Sequence, residues 1–241
     1  EEDLDRALAA AERGLEVWKA TGPWERSAKI RKVADLMRER VDTIAMLMSI
    51  ETGKPLAEAR GETNAAADQF EWYAEEAKRI YGQIIEPRDS ASRMSVLYQP
   101  VGVVAAFSAW NFPALLPARK IAPALAAGCS VIVKPAGEAP ASCGAIVQAC
   151  HDAGIPPGVV SYVTGNSRLI AKHLVTAPAV RKISVTGSVP VGKEILHLAA
   201  DGVKKVSMEL GGHGPVIVFD DVDAKQAATT CANTKFRNCG Q

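Results

Sequence analysis

From Val101 onward, short apolar runs alternate with segments of helical periodicity, and this alternation restricts the possible folds more than any other feature of the chain. The runs are Val101–Phe107, Val131–Val133, Val159–Val163, Lys182–Val185, Val203–Met208 and Val216–Phe219, and each predicts a strand. Apolar runs without polar alternation suit strands covered on both faces, the situation of a parallel sheet between two layers of helices. Strand, helix and strand in repeated order therefore predict an α/β protein built on a doubly wound, Rossmann-like parallel sheet. No internal sequence repeat accompanies the pattern.

The first hundred residues have a different texture. Leu4, Leu8, Ala11, Leu15 and Trp18 step by four and three and predict an amphipathic helix. Val33, Leu36, Met37, Val41, Ile44, Leu47 and Met48 predict a second, with Thr21-Gly22-Pro23 as the turn and Pro23 suited to a first helical position. Asn64 to Ile80 predicts a third, and the Met and Trp residues of these helices are expected in the core. Gln83 to Gln99, broken by Pro87 and Arg88, predicts exposed strands or an arm of the kind that serves assembly.

Composition narrows the functional classes. With 28 Lys and Arg against 27 Asp and Glu, the net charge of +1 gives no long-range attraction to nucleic acid or an anionic membrane, so neither is expected as a partner. No apolar run reaches the roughly 18 to 20 residues of a membrane span, and no basic segment with a short apolar core opens the chain. A soluble, unexported protein is expected. The five cysteines are odd in number and irregularly spaced, which fits neither a disulfide framework nor a zinc site, and the four scattered histidines predict no metal. A reducing, cytoplasmic setting follows. The chain starts at Glu1 inside a helical pattern and stops at Gln241 in a loop, so both ends are expected to be cut ends.

In a doubly wound sheet, ligands bind outside the carboxyl ends of the strands. Those ends carry Ser108-Ala109-Trp110-Asn111-Phe112-Pro113, Lys134-Pro135-Ala136-Gly137, Gly165-Asn166, Thr186-Gly187-Ser188 and Glu209-Leu210-Gly211-Gly212. One crevice would then gather an amide, an ammonium, glycine turns with a hydroxyl, and a carboxylate, which is an enzyme-like set. The turn from Gly187 to Gly192, between a strand and a helix, would present backbone N–H groups to an anion such as a nucleotide phosphate. With Lys193 the same turn reads as a near P-loop, and Val216–Phe219 followed by Asp220 mimics a magnesium-holding strand end. A P-loop-like NTPase is therefore a rival reading, opposed by Glu194, which stands where a Ser or Thr hydroxyl should meet the metal.

Trp110-Asn111-Phe112-Pro113, Lys134-Pro135-Ala136, Thr186-Gly187-Ser188 with Gly192, Glu209-Leu210-Gly211-Gly212 and Asn238-Cys239-Gly240-Gln241 together resemble the aldehyde dehydrogenase superfamily over essentially the whole chain. A complete member of that family is about twice as long. The resemblance implies a dinucleotide-binding domain at 1–86 and 100–208, an oligomerisation arm at 87–99, and the beginning of a catalytic domain at 209–241. It implies NAD or NADP as cofactor, a small-molecule aldehyde as substrate, and a homodimer or homotetramer. Asn111 would donate to the oxyanion formed when a thiolate attacks the aldehyde, and Glu209 would activate the water that hydrolyses the thioester. Lys134 resembles the lysine that bonds the adenosine ribose, and Gly187 and Ser188 the pyrophosphate turn. The remaining cofactor contacts implied are Phe107, Ser108, Ala109, Trp110, Ala136, Gly137, Glu138, Gly165, Ser167, Thr186, Val191, Leu210 and Gly211, with Asn111 and Glu209 at the nicotinamide end.

Two departures matter. The family nucleophile lies two residues beyond the Gln of N-x-G-Q, which would be position 243, so this chain is expected to lack it. Cys239 occupies the variable position of that motif and is expected to be a small packing residue. Gly137 stands where NAD-preferring relatives often carry a glutamate on the ribose hydroxyls, which leaves NAD and NADP both open, with Glu138 next to it. Arg119 and Arg237 could pair with a carboxylate at the far end of the substrate. Ala118-Arg119-Lys120 and Lys235-Phe236-Arg237-Asn238 resemble the succinate-semialdehyde dehydrogenase branch, so an acid semialdehyde is expected. A catalytically inactive dinucleotide-binding fragment is the alternative.

Overall fold

A computed structural model describes residues 1–241. Four helices open the chain: α1 (Glu2–Ala20), α2 (Pro23–Glu39), α3 (Val41–Thr52) and α4 (Leu56–Glu76). An exposed antiparallel hairpin follows, β1 (Gln83–Ile85) with β2 (Met94–Val96). Then come β3 (Val103–Phe107), α5 (Leu115–Ala126), β4 (Val131–Lys134), α6 (Pro140–Asp152), β5 (Val160–Tyr162), α7 (Ser167–Thr176), β6 (Val180–Gly187), α8 (Val189–Ala200), β7 (Lys205–Leu210) and α9 (Ala224–Gly240).

The five strands β3 to β7 form one parallel sheet in the order β5-β4-β3-β6-β7. The chain winds outward from β3 through β4 to β5, then crosses back to β6 and continues to β7. The reversal between β3 and β6 is the switch point at which such a sheet opens a crevice. Successive side chains of a strand point to opposite faces, and both faces here are covered. Val104, Ala106, Val131 and Val133 join Ile30, Met37, Phe70, Ile121 and Ile146 of α2, α4, α5 and α6 on one side. Val103, Ala105, Phe107 and Ile132 join Leu4, Ile170, Leu174 and Ile195 of α1, α7 and α8 on the other.

Two contacts fasten α1. Trp18 is fully buried and its Nε1 donates to the Leu125 carbonyl at 2.9 Å, which satisfies the one polar atom of the ring. Gly14 lies against the turn before β5 so closely that a Cβ built on it would stand 2.4 Å from the Gly158 carbonyl carbon. No helix is long and apolar enough to cross a membrane.

Several sequence expectations are corrected. The apolar stripe from Val33 to Met48 belongs to two helices, because the backbone leaves helical geometry at Arg40 (φ −102°, ψ 16°), where the side chain pairs with Asp152 of α6 at 2.6 Å. The stripe hides the break because both pieces turn the same face inward. The third helix begins at Leu56 rather than Asn64 and ends at Glu76. Trp24, Trp72 and Met46 are exposed, not core. The run Val203–Met208 enters its strand two residues late, at Lys205, with Val203 exposed at φ 47°, so Glu209 lies within β7 rather than after it. Val216–Phe219 forms no strand and its side chains are exposed: apolar content alone does not make a strand where no ladder partner stands beside it.

Candidate active site

Parallel strands that end in register bring their following loops to one edge. Phe107 lies opposite Lys134 of β4 and Val185 of β6, and Thr186 lies opposite Glu209 of β7. Ser108, Lys134, Gly187, Ser188 and Glu209 thereby share the carboxyl edge of the sheet, around the switch point. Ser108 is buried there with its Oγ unpartnered, a hydroxyl free to meet a ligand.

Lys134, the last residue of β4, is buried, and its Nζ donates to Ser167 Oγ at 2.5 Å. Burial pulls its ammonium below the ordinary lysine range, and the carboxylate of Glu138 opposes that shift. Ser167 stands at the first position of α7, whose start is fixed by Asn166: its side chain accepts from the N–H groups of Arg168 and Leu169 at 3.1 and 3.0 Å. Gly165, before that cap, holds φ at 133°, a conformation side chains rarely adopt. Gly137 and Glu138 are exposed beyond Lys134, with open space around the Cα of Gly137. Ala136 is half-buried between them and the strand.

The turn after β6 is built by Ser188, the N-cap of α8, whose Oγ accepts the Val191 N–H at 3.5 Å. Val191 is exposed and Thr186 and Gly187 half-buried along its rim. Gly192 serves packing rather than the turn, because a Cβ there would meet the Leu210 side chain at 2.7 Å. Leu210 and the exposed Gly211 follow Glu209, whose own side chain is exposed.

The loop after β3 is held from beneath. The Asn111 carbonyl accepts from Lys54 Nζ at 3.0 Å and from Asn238 Nδ2 at 3.1 Å. The Asn111 Nδ2 donates to Gln241 Oε1 at 3.1 Å, while its Oδ1 is buried without a partner. Lys54 and Glu62 form a buried ion pair, and the second carboxylate oxygen of Glu62 accepts the N–H groups of Ala114 and Leu115 at 2.9 and 3.1 Å. Trp110 and Ala109 stay at the surface end of this loop, Trp110 47% exposed.

Arg237 and Arg119 line no common cavity. Arg237 stands 5.7 Å from the centroid of the Phe112 ring and lines a cavity of about 270 Å³ with Lys54, Glu58, Glu62 and Leu115. Arg119 is exposed on α5 and does not line that cavity. Cys239 is exposed rather than packed, with φ at 58° and its Sγ directed to the Gly53 carbonyl at 3.2 Å. A cavity of about 1160 Å³ between α1 and β5 borders the site only at Thr164 and Asn166.

Sequence reading missed Lys54, Glu58 and Glu62, because the α3–α4 connection and α4 meet the site only through the tertiary fold. It also missed Lys120 of α5, a buried ammonium whose Nζ lies 3.3 Å from Ser184 Oγ. Burial pulls it down to about 8; the charge of Glu209 opposes the shift and that of Lys182 adds to it. The near P-loop loses its supports: Lys193 is exposed on α8, Glu194 pairs with Arg168 at 3.2 Å, and Asp220 ends no strand.

The strand ends around the switch point thus carry an ammonium, an unpartnered hydroxyl, a capped glycine turn and a carboxylate, at the edge where doubly wound sheets bind their ligands. The sequence profile of the aldehyde dehydrogenase family matches residues 1–241, and the chain belongs to that family. It is 49% identical over 236 residues to a glutarate-semialdehyde dehydrogenase of Pseudomonas putida, covering 98% of this chain and 49% of that protein. It is 46% identical to an NADP(+) succinate-semialdehyde dehydrogenase of Escherichia coli, with 98% of this chain and 49% of that protein covered. The crystal structure of a succinate-semialdehyde dehydrogenase from Burkholderia pseudomallei superposes with a TM-score of 0.97 at 43% identity, over 100% of this chain and 50% of the other. The chain thus spans about half the length of the relatives it matches.

Proposed function

We propose that this chain supplies the dinucleotide-binding crevice and two catalytic side chains of an enzyme that oxidises an acid semialdehyde to the carboxylic acid with NAD or NADP. The observation that carries the proposal is the convergence of Ser108, the Lys134–Ser167 pair, the Ser188 turn and Glu209 on one edge of the sheet, with Asn111 fixed beside them. The dinucleotide fits this edge: an unpartnered buried hydroxyl, a lysine already directed at a hydroxyl, and open space at Gly137 offer donors and room. When bound, it supplies the acceptor for the two electrons removed from the aldehyde.

The chain's own residues do the rest. Lys134 and Ser167 hold the ribose of the adenosine, and Ser188 with the first turn of α8 meets the pyrophosphate. Phe107, Ser108, Ala109, Trp110, Ala136, Gly137, Glu138, Gly165, Thr186, Val191, Leu210 and Gly211 form the surrounding wall. The Asn111 Nδ2 donates a hydrogen bond to the oxyanion that forms when a thiolate adds to the carbonyl carbon. That thiolate belongs to position 243 by the family motif. Glu209 accepts a proton from the water that later attacks the thioester. Arg237, beside Phe112, meets the distal carboxylate of the substrate, and Arg119 is a second candidate for that contact.

The same proposal divides the chain into a dinucleotide-binding unit at 1–86 and 100–208, an assembly arm at 87–99 and the start of a catalytic unit at 209–241. Exposed Met94, Leu97 and Tyr98 suit the arm's role in a homodimer or homotetramer.

Purified full-length protein mixed with NAD or NADP and succinate or glutarate semialdehyde tests the reading, followed by absorbance of the reduced nicotinamide. Turnover should exceed that on an uncharged aldehyde of the same length, and Arg237→Leu should raise KM for the semialdehyde about 10-fold or more. Equal turnover of charged and uncharged aldehydes would remove the acid semialdehyde from the proposal. Absence of any dinucleotide binding would remove the oxidoreductase.

A further inference from the structure

One segment of the helical layer, residues 51–62, reaches three loops of the site although it carries none of the roles assigned above. Glu51 accepts the N–H groups of Ala141 and Ser142 at 2.5 and 2.9 Å, and so caps α6 behind the Lys134 loop. Lys54 and Glu62 grip the loop after β3 from both sides, at the Asn111 carbonyl and at the Ala114 and Leu115 N–H groups. Glu58 accepts the Asn238 N–H at 2.8 Å, and the Gly53 carbonyl receives Cys239 Sγ.

These contacts set geometry, as the burial of the ion pair and the backbone at Asn238 and Cys239 both indicate. The side chains of Lys54 and Glu62 are 2% and 3% exposed, and withdrawing two charges from water costs several kcal/mol per ion, which their attraction does not reliably exceed. Stability alone is therefore a weak reason for such a pair, and its contacts to the Asn111 loop point to positioning instead. Further, Asn238 and Cys239 stand consecutively at φ 52° and 58°, a strained arrangement that persists only where surrounding contacts over-determine it. Glu58, Gly53 and the Asn111 carbonyl are those contacts.

We propose that Lys54, Glu62 and Glu58 are positioning residues that clamp the Asn111 loop and the kinked end of α9 at one fixed spacing, holding the Asn111 amide in register with Gln241. The catalytic consequence rests on the function proposed above; the geometry of the clamp does not. Misplacement of a reacting group by about 1 Å costs about 10²-fold in rate.

The test uses the full-length protein with Lys54→Met, Lys54→Arg and Glu58→Ala. Three quantities are read: kcat per active thiol from burst titration, the dinucleotide dissociation constant, and amide hydrogen exchange over residues 108–116 and 236–241. Lys54→Met should lower kcat per titrated thiol about 10²-fold with dinucleotide affinity unchanged and with faster exchange at Ala114 and Leu115. Lys54→Arg should recover part of the loss. Glu58→Ala, at a half-buried position that tolerates truncation, should release exchange at Asn238, leave Ala114 and Leu115 protected, and lower kcat by a smaller factor. It decides the matter alone if Lys54→Met does not fold. A merely structural pair would lower the unfolding midpoint and the number of titratable sites while kcat per site stayed within about twofold, and that result overturns the proposal. Wild-type protein that oxidises no aldehyde defeats the proposed function; unchanged exchange at Asn238 in Glu58→Ala defeats the clamp.

Discussion

The side-chain amides of Asn111 and Gln241 meet across 130 positions of sequence, Asn111 Nδ2 donating to Gln241 Oε1 at 3.1 Å. The same oxygen accepts Asn238 Nδ2 at 2.7 Å, so one glutamine side chain orients two amides. An amide nitrogen carries two hydrogens, and one of those on Asn111 remains for an oxyanion. Asn111→Ala should therefore lower kcat about 10²- to 10³-fold with little change in dinucleotide affinity, whereas Gln241→Ala, which only frees the amide to rotate, should cost less. Steady-state rates with a fluorescence titration of dinucleotide check both; equal losses would mean that Gln241 does more than orient.

Glu209 has a cleaner kinetic signature than its neighbours, because its proposed step comes after reduction of the nicotinamide. In full-length protein, Glu209→Gln should keep the burst of reduced nicotinamide and lower the steady-state rate by about 10²- to 10⁴-fold. A rapid-mixing trace with no burst would instead place Glu209 before or at hydride removal.

Gly137 leaves open space beside Lys134, room for a 2′-phosphate. Gly137→Glu should weaken NADP binding more than 10-fold through like-charge repulsion while leaving NAD binding the same or tighter. Calorimetric titration of both dinucleotides reads this without any turnover, and parallel weakening of the two would show that position 137 does not face the ribose.

Burial holds Lys120 at about 8, below its ordinary 10.5. Between those values the unfolded chain binds more protons than the folded one, so the contribution of Lys120 to stability rises with pH across that window; below about pH 8 the cost of the buried ammonium is borne in full. Lys134, Lys182 and Lys204, lowered by the same cause, tilt the profile the same way. Lys120→Met should raise the urea midpoint at about pH 7 and flatten its increase toward about pH 10. A profile identical to wild type would mean that Lys120 is solvated in the folded state.

Gly14 and Gly158 permit α1 to lie backbone to backbone on the turn before β5. A Cβ at Gly14 would stand 2.4 and 2.5 Å from main-chain atoms, which no rotamer relieves. Gly14→Ala should lower stability by about 1–3 kcal/mol in urea unfolding. Gly61→Ala, in the middle of α4 with nothing within 4 Å, is the matched control and should stabilise by about 0.5–1 kcal/mol.

Much of the sheet could be read from the sequence, because strands covered on both faces must be apolar along their whole length: Val131 to Val133 and Val103 to Phe107 carry no ambiguity of face. The residues gathered at its edge were legible for the same reason, since whatever follows a parallel strand arrives there. Val216–Phe219 misled the reading because an apolar run records what a segment could bury, and nothing within the run says whether a ladder stands beside it. Arg40 was invisible because a break that leaves the apolar stripe in phase does not disturb periodicity. Lys54 and Glu62 carried no signal either. A lysine after a glycine and a glutamate within a helix look like ordinary solvated residues until the fold closes around both.

The place of β7 at the border of the sheet has a further consequence. β3 and β6 are each held by ladders on two sides, but β7 is hydrogen-bonded to β6 alone, and Glu209 is its next-to-last residue. The carboxylate thus rides on a border strand, whereas Lys134 and Ser108 stand at the ends of strands flanked on both sides. Leu210, the next residue, packs on Gly192 of α8, so a shift of β7 about its single seam would be felt at the turn that Ser188 caps. Glu209 is therefore tied to the rest of the sheet by one ladder and to the Ser188 turn by packing, so that a displacement of α8 reaches its carboxylate before it reaches Lys134 or Ser108.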